Sequence, residues 1–295
     1  MGLAGETIAL SRTRWQDFPG SSDLALDPGF PEFLGDVARL YSLSLRPDSG
    51  GGHSYGEMLA GLISELVPPD KPADALILGF AMPDVWPGRA TATFLSHVCA
   101  GDPMAFAVCD QGCAAGFTAL RLARDCAVRG GWRRIVVAVA EQTRLDYDPP
   151  ATASVPARHA AFAMLCDAHP GAAPRRPAGG GTPLLRAVRV CPGVPAEQAC
   201  ALLGRALAVL PEAGEEQRTL VLGEGLTPLA GDGVPGWGSA LTLPAGQPLT
   251  GVWRELAAWA AASADGSLTI ADYDPALRYL CLATFAKAAS APALA

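Results

Sequence analysis

An α/β fold in two halves is the fold class that the sequence predicts. Short, continuously apolar runs alternate with helical segments along most of the chain, and one Pro/Gly-rich stretch interrupts this alternation near the middle. The chain has 295 residues, of which 50% are hydrophobic and 17% are charged, so it can bury a large core. This balance excludes a disordered chain.

The first half contains four apolar runs of strand length. Runs without a polar face are expected for strands that are covered on both faces. Between the second and third run, the segment 114–129 lacks proline, places Leu120, Ala123 and Ala127 on one face, and ends at two glycines that are typical of a helix stop. The four predicted strands are 75–80, 104–109, 135–140 and 160–165.

The stretch from His169 to Pro183 is rich in proline and glycine and is the best candidate for a domain boundary. The predicted halves are therefore residues 1–170 and residues 171–295. Beyond the boundary the alternation resumes, with no short sequence repeat between the halves. The predicted strands there are 184–190, 219–222, 268–271 and 279–283, and the predicted helices are 199–210 and 252–262.

Charge and hydropathy exclude several classes of function. The net charge of −7 and the pI near 5.1 argue against nucleic-acid binding, which requires clustered Lys and Arg. No apolar run has the length of a membrane span, and the N-terminus has no signal-peptide pattern, so the expected location is the cytoplasm. The eight cysteines, mostly in apolar segments, are expected to be reduced core residues.

No metal or cofactor is predicted. Cys166 and His169 have the spacing of half a zinc site, but no second Cys/His pair has ligand spacing. The chain has four histidines, none of them after His169, and it contains no asparagine. A mechanism that needs Asn, or a His from the second half, is therefore excluded within this chain.

The turn around Cys113 is the one place where the sequence indicates chemistry. It lies between a predicted strand and a predicted helix, and the small residues on both sides allow a sharp turn and the approach of an acyl group. At a helix N-terminus, the dipole and the unpaired N–H groups would favour the thiolate, and the same N–H groups could hold an oxyanion. The alternative is a buried structural cysteine.

Residues 74–141 resemble the first half of a β-ketoacyl-acyl-carrier-protein synthase III, a member of the thiolase superfamily. The resemblance covers three predicted strands, Met82-Pro-Asp84, and the run Cys113-Ala-Ala-Gly-Phe117. In that family the cysteine of an A-C-A-G-F motif is the acylated nucleophile, and the resemblance assigns this role to Cys113. It also implies a layered αβαβα thiolase fold made of two similar halves, and a dimer that pairs through an edge strand of the first half.

The second half departs from the same family at its functional positions. Leu220-Val-Leu-Gly-Glu224 resembles the segment of the catalytic His, with Glu224 in its place, and Trp237 stands where the family has its catalytic Asn. The last glycine-rich loop corresponds to 272–276, and the family's G-D-G-A corresponds to 157–160, which contains His159. The pattern associated with coenzyme A binding is missing at the N-terminus. Ordinary decarboxylative condensation is therefore not expected.

Two functions are left open. In the first, Cys113 takes an acyl group from an acyl carrier protein or an acyl-CoA thioester and passes it to an acceptor of specialised metabolism, with Glu224 or His159 as the base. In the second, the chain is a degenerate subunit of a heteromeric ketosynthase. The expected assembly is a homodimer or a heterodimer with a ketosynthase. For both Glu224 and His159, the alternative to the role of base is a solvated or structural role.

Overall fold

A computed structural model describes residues 7–22, 29–46, 51–86, 89–149, 154–169, 181–209, 218–231, 233–237, 240–262 and 265–287. Its strands are β1 (Thr7–Asp17), β2 (Ala75–Gly79), β3 (Met104–Val108), β4 (Arg134–Glu141), β5 (Ala160–His169), β6 (Pro183–Cys191), β7 (Arg218–Leu222), β8 (Leu241–Thr242), β9 (Gly266–Asp274) and β10 (Tyr279–Lys287). Its helices are α1 (Phe30–Leu40), α2 (Tyr55–Leu66), α3 (Thr91–Val98), α4 (Ala114–Gly130), α5 (Ala196–Ala208) and α6 (Gly251–Ala261). A short 3-10 helix spans Thr227–Leu229.

The strands form one sheet in the order β3-β2-β4-β5-β1-β6-β10-β9-β7-β8. In the first half, β2 pairs in parallel with β3 and β4, and β5 is antiparallel to both of its neighbours. The second half repeats this arrangement, with β7 parallel to β8 and β9, and β10 antiparallel to its neighbours. Within the sheet, the halves are joined by β1 and β6, which pair at Ala9 and Leu184. The chain therefore contains the same five-stranded unit twice.

Two helices lie between the halves. The largest buried cluster combines α4 and α6 with strand residues of both halves, such as Val137 of β4 and Ile270 of β9. A second cluster packs α2 and α3 on the first half, and a third packs α5 on the second half. The order of layers is therefore helix, strand, helix, strand, helix, as predicted.

Every strand and helix predicted from the sequence is present, with ends that differ by a few residues. The predicted boundary after residue 170 lies outside the described residues and stays a prediction. The structure adds β1, β8 and the helices α1 to α3, whose bounds were not predicted. Of the helices in the described residues, none is long and apolar enough to cross a membrane.

All eight cysteines are free thiols. Four of them are buried: Cys99, Cys113, Cys166 and Cys281. Cys109, which was expected to lie in the core with its strand, is exposed because β3 is the edge strand of the sheet and Cys109 follows its last residue. The expectation of a core position is therefore wrong for this residue.

Candidate active site

Cys113 lies in a sharp turn that joins β3 to α4. Two backbone positions make this turn possible, because Asp110 has a φ of 59° and Gly112 a φ of 52°. Asp is one of the few residues that tolerate this left-handed conformation, and glycine adopts it without steric cost. Cys113 is the N-cap residue of α4 and is 7% exposed. The predicted position at a helix N-terminus is confirmed.

Side chains from β9 and β10 face the turn. Asp272 and Asp274 lie on the same face of β9, since side chains alternate along a strand. Tyr273 between them lies on the opposite face, where its hydroxyl donates to the carbonyl of Val194 at 2.7 Å. A Cβ atom at Gly112 would collide with the Asp274 carboxylate, so this carboxylate lies directly against the turn. Cys281 of β10 is the cross-strand partner of Asp272.

These neighbours reverse the expected acidity of Cys113. Its thiol interacts with the Cys281 thiol, and this interaction, burial and the nearby carboxylates of Asp272 and Asp274 together raise the pKa of Cys113 well above its ordinary value. The expectation that the helix N-terminus favours the thiolate did not include these groups, because they lie about 160 residues further along the chain. The thiol form of Cys113 is therefore the resting form.

The first N–H groups of α4 are not available for an oxyanion. The N–H of Ala114 donates to the carbonyl of Gln111 at 2.9 Å, and the N–H of Ala115 donates to the carbonyl of Gly112 at 3.2 Å. These two N–H groups are therefore not free to hold an oxyanion, because the turn uses them for its own hydrogen bonds.

Asp272 is fully buried, and sequence reasoning missed it as a functional residue. Its Oδ1 accepts hydrogen bonds from the N–H of Tyr273 at 2.8 Å and of Gly225 at 3.2 Å. A Cβ atom at Gly223 would collide with the carboxylate, so the absence of a side chain there makes room for it. Burial raises the pKa of Asp272 to about 8, and the charge of Glu224 adds to this effect.

Glu224 lies beside Asp272, but its carboxylate has a structural role in the loop that follows β8. Its Oε2 accepts hydrogen bonds from the backbone N–H groups of Gly246 at 2.7 Å and Gln247 at 3.0 Å. The predicted base therefore holds the chain that leads into α6.

Glu141, at the end of β4, is a second carboxylate that sequence reasoning missed. It accepts hydrogen bonds from the N–H groups of Leu249 at 2.9 Å and Thr250 at 3.0 Å, and from the Thr250 hydroxyl. The side-chain amide of Gln247 donates to it at 2.8 Å. Burial raises the pKa of Glu141 to about 7 in spite of these donors, and the charge of Glu224 contributes.

His159 and Trp237 belong to other groups of residues. The ring nitrogens of His159 lie 3.3 Å from the N–H and 3.2 Å from the hydroxyl of Thr143, and its ring packs edge-on against His53. Burial and the neighbouring His53 lower the pKa of His159. Trp237, at the position of the family's Asn, lies under the guanidinium of Arg218.

A cavity of about 400 Å³ opens beside the cysteine turn. Its lining includes Met82, Arg89, Cys109 and Asp110. The Arg89 guanidinium lies 3.3 Å from the centre of the Phe94 ring. Among the residues that the structure describes, no group of three or more His, Cys, Asp and Glu side chains has the arrangement of a metal site.

No model of a known protein family matches the sequence, and no curated protein matches it. Solved structures do match. The tetronic acid condensing enzyme AbyA1 has a TM-score of 0.65 at 14% identity, covering 95% of this chain and 100% of that chain. OleA from Xanthomonas campestris with cerulenin has a TM-score of 0.59 at 14% identity, covering 95% of this chain and 96% of the OleA chain. A ketosynthase of the bacillaene synthase from Bacillus amyloliquefaciens has a TM-score of 0.56 at 10% identity. That match covers 97% of this chain and 76% of the ketosynthase chain.

These neighbours are ketosynthase-like and condensing enzymes with the thiolase fold. The chain therefore has a thiolase-like fold, and the predicted fold class is confirmed. The turn around Cys113, which packs against both halves, is the candidate active site.

Proposed function

We propose that the protein is an acyltransferase of the ketosynthase-III-like kind, acting in specialised metabolism with Cys113 as its acylated nucleophile. The observation that carries the proposal is the position of Cys113: a buried thiol at the N-cap of α4, in a turn with two left-handed residues, between the halves of a thiolase-like fold. This setting holds a sulfur atom at a fixed point from which it can attack a carbonyl carbon.

In the first step, the Cys113 sulfur attacks the thioester of an acyl carrier protein or of coenzyme A. A new thioester forms on Cys113 and the donor leaves as a free thiol. OleA has been solved as a Cys-to-Ser variant with lauric acid and lauroyl-CoA, at 12% identity and a TM-score of 0.59. That likeness supports an acyl thioester as the class of donor.

In the second step, an acceptor takes the acyl group from Cys113. The chain has no Asn, and Glu224 stands where the family has its His, so the acceptor of this proposal is an oxygen, nitrogen or sulfur nucleophile. Of the two bases predicted from the sequence, Glu224 is the better placed, because its charge acts on Asp272, a neighbour of the Cys113 site. His159 interacts with Thr143 and His53. A Glu224→Gln variant that transfers at the wild-type rate would remove Glu224 from the mechanism.

Intact-protein mass spectrometry after incubation with acyl-carrier-protein and acyl-CoA thioesters tests the first step. We expect an adduct of the acyl mass on the wild type and on a Cys109→Ala variant, in which the exposed cysteine of the same turn is removed. We expect no adduct on Cys113→Ala. An adduct that persists in Cys113→Ala contradicts the proposal.

A degenerate ketosynthase subunit is the second candidate function. It is favoured by the Asp274 carboxylate against the turn and by the N–H groups of Ala114 and Ala115, which are already bonded. Both features oppose the development of an oxyanion near Cys113. The absence of an adduct with every donor, together with co-purification of a ketosynthase that has its own Cys, His and Asn, would favour this candidate.

A further inference from the structure

The carboxyl of Asp272 and the thiol of Cys113 both neighbour Cys281 of β10. Asp272 and Cys281 are directly paired across β9 and β10, so their side chains lie on the same face of the sheet. The Cys113 thiol interacts with the Cys281 thiol, and the charge of Asp272 is among the influences that raise the pKa of Cys113. Asp274, on the same face, lies against Gly112, the residue before Cys113. Three chain segments therefore bring these groups together.

The backbone around Asp272 is shaped to hold a carboxyl group. Gly223 and Gly225 both lie too close to β9 to carry a side chain, since a Cβ atom would meet the Asp272 carboxylate at Gly223 and the Tyr273 carbonyl at Gly225. The N–H of Gly225 donates to Asp272 at 3.2 Å. The turn after β7 therefore fixes the carboxyl of Asp272 in a fully buried position.

We infer that Asp272 accepts the thiol proton of Cys113 when Cys113 is acylated. The inference rests on the proposed function and adds a residue for which the family resemblance gives no role. Among the residues that the structure describes, four titratable groups interact with Asp272 or lie directly beside it: Cys113 at the start of α4, Cys281 on β10, Glu224 in the turn after β7 and Asp274 on its own strand. This set contains no Lys, Arg or His. The groups that can exchange a proton with Cys113 there are therefore carboxyls and a second thiol.

The proton balance of the step is complete without a further reactant. The Cys113 sulfur forms a bond to the acyl carbon, and the bond from that carbon to the donor sulfur breaks. The proton of Cys113 passes to the Asp272 carboxylate and then to the departing donor thiolate, which leaves as a thiol. Asp272 is ionised again at the end of the step.

The acylation rate of three proteins tests this role. At pH 8, where Asp272 is about half ionised, we expect Asp272→Asn to acylate Cys113 about 100-fold more slowly than the wild type, which is typical of a lost general base. Asp167→Asn is the matched control. Asp167 pairs with Arg134 at 2.9 Å, at the opposite end of β4 from Glu141, and its variant should acylate at the wild-type rate.

The pH dependence of Cys113 alkylation by iodoacetamide, followed by peptide mass spectrometry, is a readout that needs no acyl donor. In the wild type the Asp272 carboxylate opposes formation of the Cys113 thiolate, so the alkylation rate should rise only at a pH above that of an ordinary thiol. In Asp272→Asn that charge is absent, so the midpoint of the alkylation profile should move to lower pH. Equal midpoints in the two proteins would overturn the inference.

The two readouts separate the inference from the proposed function. An adduct that forms as fast in Asp272→Asn as in the wild type would overturn the role of Asp272 and leave Cys113 acylation standing. A shifted alkylation midpoint without an adduct from any donor would support the proton pair and overturn the acyl transfer. If Asp272→Asn does not fold, NMR of the wild type with ¹³C-labelled aspartate decides: a carboxyl that titrates near pH 8 is expected, and its absence contradicts the pairing.

Discussion

At the scale of single residues, the site depends on a glycine that leaves room for a carboxyl group. Gly223 lies against Asp272, and a methyl group there would displace the carboxylate from its hydrogen bonds. We expect Gly223→Ala to lower the free energy of unfolding by about 1–3 kcal/mol, the usual cost of overpacking a buried position. Urea unfolding at pH 7 measures it.

Gly61→Ala is the matched control for that substitution. Gly61 is an exposed residue of α2, and a Cβ atom there would contact nothing within 4 Å. Alanine is the better helix former, so this variant should be as stable as the wild type or up to about 1 kcal/mol more stable. Equal effects of the two substitutions would contradict the tight fit of Gly223.

Cys113 shows what a local sequence pattern can predict about a residue. The strand, the small residues and the helix around it are close in sequence, so its position at a helix N-terminus followed from the pattern. Its acidity did not, because Cys281, Asp272 and Asp274 act on it from distant strands. The helix dipole alone predicts the opposite direction.

At the scale of elements, Glu141 joins the end of β4 to the start of α6. Its carboxylate accepts the backbone N–H groups of Leu249 and Thr250 in a buried position. We expect Glu141→Ala to lower the free energy of unfolding by about 2–4 kcal/mol, because two buried donors lose their acceptor. Thermal and urea unfolding measure the change.

Glu65→Ala serves as the comparison for Glu141→Ala. Glu65 makes an exposed ion pair with Arg14 at 2.9 Å, and such pairs contribute under about 1 kcal/mol. A loss in Glu141→Ala as small as that in Glu65→Ala would show that β4 and α6 are held by other contacts.

The helix α2 begins at a motif that a sequence alone can reveal. Ser54 and Glu57 form a capping box, in which the Ser54 hydroxyl accepts from the N–H of Glu57 at 3.1 Å and the Glu57 carboxylate accepts from the N–H of Ser54 at 2.9 Å. The spacing of Ser and Glu before an apolar run is readable from sequence alone. The strand β1 is harder to predict, because polar residues occupy most of its second half.

At the scale of the whole molecule, stability should fall as the pH rises from 6.5 to 8. Asp272 has a folded pKa of about 8 against an ordinary value of 3.8, so the folded state keeps a proton that the unfolded state has lost. Such a group stabilises the fold at low pH, and the contribution disappears as the pH approaches the folded value. Glu141, with a folded pKa of about 7, acts in the same direction.

Between pH 6.5 and 8, the free energy of unfolding should fall by roughly 2 kcal/mol because of Asp272, at about 1.4 kcal/mol per pH unit. The lower limit of pH 6.5 excludes most of the opposing effect of His159, whose ordinary pKa is 6.5 and whose folded pKa is lower. Urea unfolding at several pH values measures the slope, and Asp272→Asn should flatten it. A wild-type stability that is constant or rises over the interval contradicts this prediction.

The exposed edge of the sheet predicts self-association of the whole molecule. The strand β3 is at one edge of the sheet, and Met104 on it is 64% exposed. An open, apolar strand edge favours pairing with another chain, so we expect a dimer of this protein, or a heterodimer with a ketosynthase, in light scattering. Met104→Lys should weaken it, while Lys71→Met, a change of the opposite kind at an exposed position, should not. A monomer at all concentrations and in the presence of a ketosynthase contradicts this expectation.

The sequence by itself determined the alternation of strands and helices, the position of Cys113 at a helix N-terminus, and the absence of a Cys-His-Asn site within this chain. These conclusions depend on local patterns and on composition, which require no knowledge of distant contacts. Only the tertiary structure decided that Asp272, Asp274 and Cys281 surround Cys113, because the packing of β9 and β10 against the start of α4 brings them there. The acidity of the thiol depends on those contacts.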